Sequence, residues 1–359
     1  MCRLRGVPER MSEGVGIRLL KGGECLEAER LWRQVFTEDT AVFTDYYFSR
    51  KAAGNRGMIL EGSEGIRAML YLTPERMYAA GRPVDSAYIV GVATRPDCRH
   101  RGYMSALLRE TLTLLYRESV PFAFLMPASP RIYEPFGFSW IYDRPVWDGA
   151  SFDPSALRKM EAGDAERMGL FAERFLEGRK AVFIRRDGAY YREKLEEAAA
   201  QEGGIYGYEL PGVCGAEALA GLFYYTREEG IAELAEALAE PEIERRFAGE
   251  RIGKKPAIMA RAVKAEALLA LLKSDAPAEF SVRIRDSLIP ENDGLYFCQA
   301  DRQGCRVRRR NGGKIGEEGR ADLSLTAGEM TEFVFGRRGA AFGRGDLRFL
   351  SPVWINEIV

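Results

Sequence analysis

Apolar positions recur with two different periods in the first 150 residues, and the change of period predicts alternating helices and strands. A helical period runs through residues 24–36 and again through residues 102–119. Short apolar runs predict strands at 58–61, 66–72, 76–80, 84–94 and 122–126. The first part of the chain is therefore expected to form an α/β unit of strand, glycine-containing loop, helix and strand.

The remaining sequence predicts a second α/β region and a small α+β module. A turn-rich bridge at 147–154 separates the first two regions. Helices are predicted at 162–177, 190–201, 231–239 and 264–273, and strands at 204–210, 218–225 and 257–262. After residue 277 the pattern alternates at 280–285 and predicts a strand at 295–300, and residues 306–310 lead into a turn at Asn311-Gly312-Gly313. Residues 323–325 and a helix at 327–335 complete the module.

Composition argues against a nucleic-acid-binding protein and against a membrane protein. The chain has 359 residues, and 52 lysines and arginines against 53 acidic residues leave a net charge of −1. No global basic field would attract nucleic acid or an anionic membrane. No apolar run approaches the ~18 residues that span a bilayer, and the first residues lack the apolar core of a signal peptide. We expect a cytoplasmic protein that binds neither nucleic acid nor a membrane.

The rare residues exclude several chemistries. His100 is the single histidine, and the six cysteines contain no C-x-x-C pair. A histidine-rich metal site, a zinc knuckle and a thioredoxin-like centre are therefore excluded, and the prediction is that no metal is bound. A nucleophile relay would have to use His100.

The sharpest local signal is the sequence Arg99-His100-Arg101-Gly102-Tyr103-Met104, between the strand that ends at Thr94 and the helix that follows. A loop that enters a helix presents unpaired N–H groups at the positive end of the helix dipole. A glycine there lets a pyrophosphate approach the backbone, and arginines add charge. The alternative interpretation is a solvated basic turn.

Three segments together resemble the GNAT acetyltransferases and, more narrowly, their "enhanced intracellular survival" (Eis-like) branch. They are Val92-Ala93-Thr94, the loop just described, and Ile132-Tyr133-Glu134-Pro135-Phe136-Gly137-Phe138. Met104 stands where the general family has Gly or Ala, but larger apolar residues occur there in the Eis-like branch. The resemblance covers nearly the whole chain.

The resemblance implies three domains in an α/β (α+β) fold with tandem GNAT units of mixed, twisted sheets flanked by helices. Residues 1–150 would be the catalytic GNAT domain, and 151–277 a second GNAT-like domain without the pyrophosphate loop. Residues 278–359 would be a small α+β sterol-carrier-like domain, and the apolar ending at 351–359 fits it.

The resemblance also implies acetyl-CoA as cosubstrate and assigns its contacts. Val92, Ala93 and Thr94 would offer backbone groups to the pantetheine arm. The pyrophosphate would lie on six consecutive residues, His100, Arg101, Gly102, Tyr103, Met104 and Ser105. Ala128 and Ser129 would lie beside the cofactor further on, although Pro130-Arg131 departs from the more flexible stretch of the family.

Acetyl transfer to an amine needs an acid for the departing thiolate and a base for the amine. Tyr133 matches the family's proton donor, and a tyrosine pKa of ~10 lies above that of a thiol at ~8.5. From the residues alone, Tyr133 could equally be a core aromatic beside a tight turn. The family's proton acceptor is the α-carboxylate of the last residue, here Val359, and the alternative is an apolar tail that only packs.

The acceptor itself stays open among polyamines, aminoglycoside-like amines and lysine side chains. Members of the Eis-like branch form hexamers, so the resemblance implies a homo-oligomer. The competing function is a non-catalytic protein that binds an apolar ligand in the sterol-carrier-like domain.

Overall fold

The computed structural model describes residues 14–148, 154–212, 218–228, 231–310, 321–338 and 346–356. Mixed sheets flanked by helices confirm the α/β (α+β) class predicted from the sequence. Over these ranges, the structure contains no helix with the length and hydropathy needed to span a membrane. The predicted turn at Asn311-Gly312-Gly313 lies outside the described residues.

The first region begins with a meander of strands and carries its helices between them. Its strands are β1 (Gly16–Leu19), β2 (Arg56–Gly62), β3 (Gly65–Ala79), β4 (Arg82–Thr94), β5 (Phe122–Leu125) and β6 (Ser139–Trp147). Its helices are α1 (Cys25–Val35), α2 (Ala41–Tyr46), α3 (Tyr103–Arg117) and α4 (Pro130–Tyr133). The runs predicted at 66–72 and 76–80 form the single long strand β3.

The second region contains a separate antiparallel sheet. Its helices are α5 (Ala165–Leu176), α6 (Gly188–Ala200) and α7 (Pro241–Ala248). Its strands are β7 (Arg158–Lys159), β8 (Val182–Ile184), β9 (Gly204–Glu209), β10 (Leu219–Glu228), β11 (Ile231–Ala239) and β12 (Arg251–Ala262). Four of these strands pair in the order β11-β10-β9-β7.

The last region is a small α+β unit. Its helices are α8 (Ala265–Leu269) and α9 (Ala327–Val334). Its strands are β13 (Lys273–Ser274), β14 (Ala278–Arg285), β15 (Gly294–Ala300), β16 (Cys305–Arg309), β17 (Leu323–Thr326), β18 (Leu347–Arg348) and β19 (Val353–Trp354). A sheet in the order β16-β15-β14-β17 forms its centre.

The first sheet includes a strand, β12, that comes from later in the chain. Its order is β1-β2-β3-β4-β5-β12-β6, so β12 lies between β5 and β6. Met259 of β12 stands opposite Leu125 on one side and Trp140 on the other. The chain thus returns to the first sheet before it enters the last unit, and the three domain ranges given above stay a prediction.

The end of the described chain also returns to the first sheet. β8 pairs antiparallel with the second half of β3, where Met77 stands opposite Ile184. β19 then pairs parallel with β8, with Val353 opposite Val182. The tail is therefore held against the region that carries the candidate loop.

The sheet buries apolar side chains on both faces. Along β4, Ala87 and Ile89 pack into the core that contains α3, whereas Tyr88 and Val90 pack into the core on the opposite face. Such double burial explains the uninterrupted apolar run of this strand, because both faces of the sheet are covered.

The helix predicted at 231–239 is wrong, since this segment is strand β11. It pairs antiparallel with β10, from Gly221 opposite Ala239 to Thr226 opposite Glu233. Leu234 packs on one face of the sheet and Ala235 on the other. The alanine-rich sequence favours a helix locally, but pairing and burial on two faces override that propensity.

Candidate active site

The two central strands of the first sheet diverge. β4 and β5 pair in parallel only at Ala87–Ala123 and Tyr88–Phe124. β4 continues to Thr94, whereas β5 ends at Leu125. Across the described ranges, the edge of β4 beyond Tyr88 that faces β5 has no strand partner. A V-shaped gap with free backbone groups along one wall therefore opens beside residues 89–94.

A bulge in β4 depends on Gly91. Tyr71 stands opposite Val90 and Met69 opposite Ala93, so Gly91 and Val92 together face one residue of β3. Gly91 has a φ of +62°, and a Cβ on it would lie 2.2 Å from the Trp32 ring. Only glycine fits both the backbone conformation and the space.

The predicted pantetheine contacts lie directly after this bulge. Ala93 is buried, while Val92 and Thr94 are half-buried at the open wall of the gap. Their assignment to the pantetheine arm stays a prediction.

The loop after β4 leads into helix α3, whose N-terminus has no side-chain cap. A short 3₁₀ turn, Pro96–Cys98, precedes His100 with a φ of +62° and Gly102 with a φ of +78°. The Gly102 carbonyl accepts from the N–H of Ala106 at 3.0 Å, which starts α3. Among the residues that the structure describes, nothing accepts from the N–H groups of Tyr103, Met104 and Ser105. Such N–H groups at the positive end of a helix favour an anion.

The surface of this loop is open and positively charged. Arg99, His100 and Arg101 are exposed. Arg101 donates to the carbonyl of Asp97 at 3.1 Å, which holds its side chain along the loop. A Cβ added to Gly102 would meet no atom within 4 Å, so the space above the helix end is empty of protein. The assignment of a pyrophosphate to this loop stays a prediction.

Tyr133 ends the short helix α4, near the end of β5. Its ring packs against Phe138 with centroids 5.9 Å apart, in the core that also contains Leu125 and Met259. Burial raises the pKa of Tyr133 to about 12. Within the described part of the chain, its hydroxyl makes no hydrogen bond, so its proton is available to a bound molecule.

Ala128 and Ser129 connect β5 to α4. Ala128 is exposed and Ser129 is half-buried, and Ser129 precedes α4 without capping it through its side chain. The two residues thus lie between the end of β5 and Tyr133.

Val359 lies outside the described residues, and the described tail ends at Asn356. The indole of Trp354 donates to Glu236 Oε1 at 2.6 Å, and the Asn356 amide donates to the Ala235 carbonyl at 2.7 Å. Glu236 also accepts from the fully buried Arg186 at 2.5 and 2.8 Å. This buried ion pair anchors the tail to β11.

The tail anchor touches the first sheet. The Trp354 ring contacts Tyr142 of β6 with centroids 6.0 Å apart. Arg186 and Glu236 have no counterpart among the residues predicted from the sequence, because charged side chains 50 positions apart carry no local signal of burial.

The described residues hold no group of three His, Cys, Asp or Glu side chains that could bind a metal ion. The candidate site therefore consists of backbone N–H groups, one buried tyrosine and the gap between two strands.

The family model of the acetyltransferase (GNAT) domain matches residues 16–141. No curated protein matches the chain. Among solved structures, a probable N-acyltransferase from Enterococcus faecalis V583 is similar at 18% identity with a TM-score of 0.72, covering 93% of this chain and 94% of that one.

Two further structures share the fold over nearly the full length. A GCN5-related N-acetyltransferase from Kribbella flavida is 19% identical with a TM-score of 0.69, and 93% of each chain is covered. Eis1 from Mycobacterium abscessus is 16% identical with a TM-score of 0.65, and 94% of each chain is covered. The described fold and the family match agree on the same region, so residues 16–141 of this chain match a GNAT acetyltransferase domain in sequence and in fold.

Proposed function

We propose that this protein transfers the acetyl group of acetyl-CoA to a primary amine by direct attack. The observation that carries the proposal is the gap between β4 and β5, with an uncapped helix N-terminus beside its outer end and Tyr133 near the end of β5. A thioester in this gap would have its carbonyl beside free N–H groups of β4, which can stabilise the tetrahedral oxyanion.

The same geometry supports the proposed cofactor contacts. Residues 100–105 would cradle the pyrophosphate on the start of α3, while residues 92–94 would bind the pantetheine arm through their backbone. Ala128 and Ser129 would lie beside the cofactor, since they connect the inner strand to Tyr133. His100 would contribute its backbone, because its left-handed conformation shapes the loop.

Tyr133 would protonate the departing thiolate. With a pKa of about 12, its hydroxyl stays protonated where a thiol of ~8.5 is largely ionised. Because this pKa lies above that of the thiol, the hydroxyl would act as a hydrogen-bond and proton donor to the sulfur while the C–S bond breaks, and would not give its proton up completely to a free thiolate.

The Val359 carboxylate would accept the proton of the amine. Val359 stands three positions beyond Asn356, and a chain of three residues can reach at most about 10 Å. Trp354 and Tyr142 belong to the core on the face of the sheet opposite Tyr133.

The acceptor is proposed to be a small polyamine, an aminoglycoside-like amine or a lysine side chain. A sterol-carrier-like last domain at 278–359 and a homo-oligomer, with a hexamer as the expected form, stay predictions. The acetyltransferase domain favours an enzyme over a non-catalytic carrier of apolar ligands.

The test is Tyr133→Phe, assayed by thiol release with a panel of primary amines. The substitution removes one oxygen and keeps the ring, so kcat should fall about 10²–10⁴-fold while the protein stays folded. Tyr191→Phe in α6 removes a hydroxyl from another buried ring and should leave kcat unchanged. Equal turnover of the Tyr133 variant and wild type would leave Tyr133 as a core aromatic.

A further inference from the structure

Arg261, near the end of β12, lies beneath the segment that carries Tyr133. Its side chain is 1% exposed. The guanidinium donates from Nε to the Phe136 carbonyl at 2.6 Å and from Nη2 to Asp286 Oδ1 at 2.6 Å. A third donor, Nη1, bonds the Ala262 carbonyl of its own strand. One buried cation thus joins the Tyr133 segment, the first sheet and the last α+β unit.

Few backbone hydrogen bonds hold the segment from Tyr133 to Phe138, although its aromatic side chains are buried in the core. Its two turns are closed by Gly137 N–H to the Glu134 carbonyl at 2.9 Å and by Phe138 N–H to the Tyr133 carbonyl at a long 3.4 Å. The bond from Arg261 to the Phe136 carbonyl is therefore a main external restraint on the segment, and it is charge-assisted.

Asp286 is itself rigidly held. Its Oδ1 accepts from the N–H groups of Leu288 and Ile289 at 3.0 Å each, in addition to Arg261. Its Oδ2 accepts from the amide of Asn292 at 3.0 Å. The donors of a planar guanidinium point in set directions. Because Asp286 holds one donor of Arg261 in place, it also orients the Nε donor toward the Phe136 carbonyl.

The surroundings leave room for the segment to move if this contact is lost. A cavity of about 560 Å³ lies between the segment and the last unit, and Phe136, Phe138, Arg261 and Asp286 are among its lining residues. Tyr133 stands three positions before Phe136, so a displacement of this turn would shift Tyr133 as well.

We propose that Arg261, fixed by Asp286, is a positioning residue for Tyr133. The proposal rests on the proposed role of Tyr133 as the acid. The last α+β unit then contributes to acetyl transfer through a buried ion pair, independently of its tail.

The experiment is a double-mutant cycle of Arg261→Lys with Tyr133→Phe. Lysine keeps the charge but cannot bond Phe136 and Asp286 in the same fork geometry. The single Arg261 variant should lose at least about tenfold in kcat with an unchanged KM for acetyl-CoA. In the Tyr133→Phe background, the same change should have no further effect on kcat, because the group that it positions is gone.

A matched control separates positioning from general loss of stability. Glu197→Gln removes a buried carboxylate charge that pairs with Lys194 at 2.7 Å in α6. It should lower the unfolding temperature without altering kcat of the folded protein. If Arg261→Lys does not fold, Asp286→Asn replaces it in the cycle, since asparagine keeps the size and one oxygen acceptor.

Each outcome is decisive. An Arg261 variant with wild-type kcat, or one whose loss multiplies with that of Tyr133→Phe, overturns the positioning role while the acid role stands. A Tyr133→Phe protein with full activity refutes the acid role, and the positioning role with it.

Discussion

Gly102 provides the most direct test of the phosphate loop, through the substitution Gly102→Val. Gly102 has a φ of +78°, and no atom lies within 4 Å of the position a Cβ would take. The new side chain would therefore cost only backbone strain, about 1–2 kcal/mol for a non-glycine residue in the left-handed region. It would stand in the space from which a pyrophosphate must approach the N–H groups of α3.

The expected loss of affinity follows from those N–H groups. A hydrogen bond to a charged group contributes about 1.5–3 kcal/mol, so the loss of one such bond weakens acetyl-CoA binding about 10- to 100-fold. Isothermal titration calorimetry measures this directly. Acetyl-pantetheine, which lacks the pyrophosphate, should bind to the Gly102 variant and to wild type equally.

Gly178 supplies the control, since it has a φ of +75° and also no atom within 4 Å of an added Cβ. Gly178→Val should lower stability by a similar amount in thermal unfolding and leave acetyl-CoA affinity unchanged. If Gly102→Val binds acetyl-CoA as tightly as wild type, the loop does not hold the pyrophosphate.

Three further results are expected. Because burial raises the pKa of Tyr133 to about 12, kcat should hold as the pH rises through about 10, where an ordinary tyrosine ionises, and a decline centred near 10 would contradict the assignment. A tag after Val359 should abolish transfer, whereas the same tag at the N-terminus should not, as thiol release will measure. Glu236→Ala leaves buried Arg186 unpaired and should lower the free energy of unfolding by about 3–5 kcal/mol in urea titration. Glu118→Ala, at a solvent-exposed ion pair, should change it by less than about 1 kcal/mol.

The local sequence was sufficient to predict the helices and strands whose apolar residues recur with an unambiguous period. The helices predicted at 24–36 and 102–119 correspond to α1 and α3, and the buried strand predicted at 84–94 lies within β4. The start of α3 could also be predicted, because a glycine between a strand and a helix is a local signal for an exposed helix N-terminus.

The sequence did not decide the secondary structure of segments in which local helix propensity competes with long-range strand pairing. Strand β11 reads as a helix because alanine, glutamate and leucine favour one, yet its pairing with β10 decides the structure. The position of β12 between β5 and β6 was also beyond a sequence reading, since Met259 and Leu125 are more than a hundred residues apart.

For the site, the residue types came from the sequence and their environments from the tertiary structure. The motif around Tyr133 identified a candidate acid, but only the tertiary structure buries its ring in the core and thereby raises its pKa. The sequence analysis did not single out Arg186 or Arg261, because composition does not tell whether water or a carboxylate surrounds a guanidinium. Burial beside Glu236 and Asp286 depends on strands brought together from distant parts of the chain, and that is a property of the fold alone.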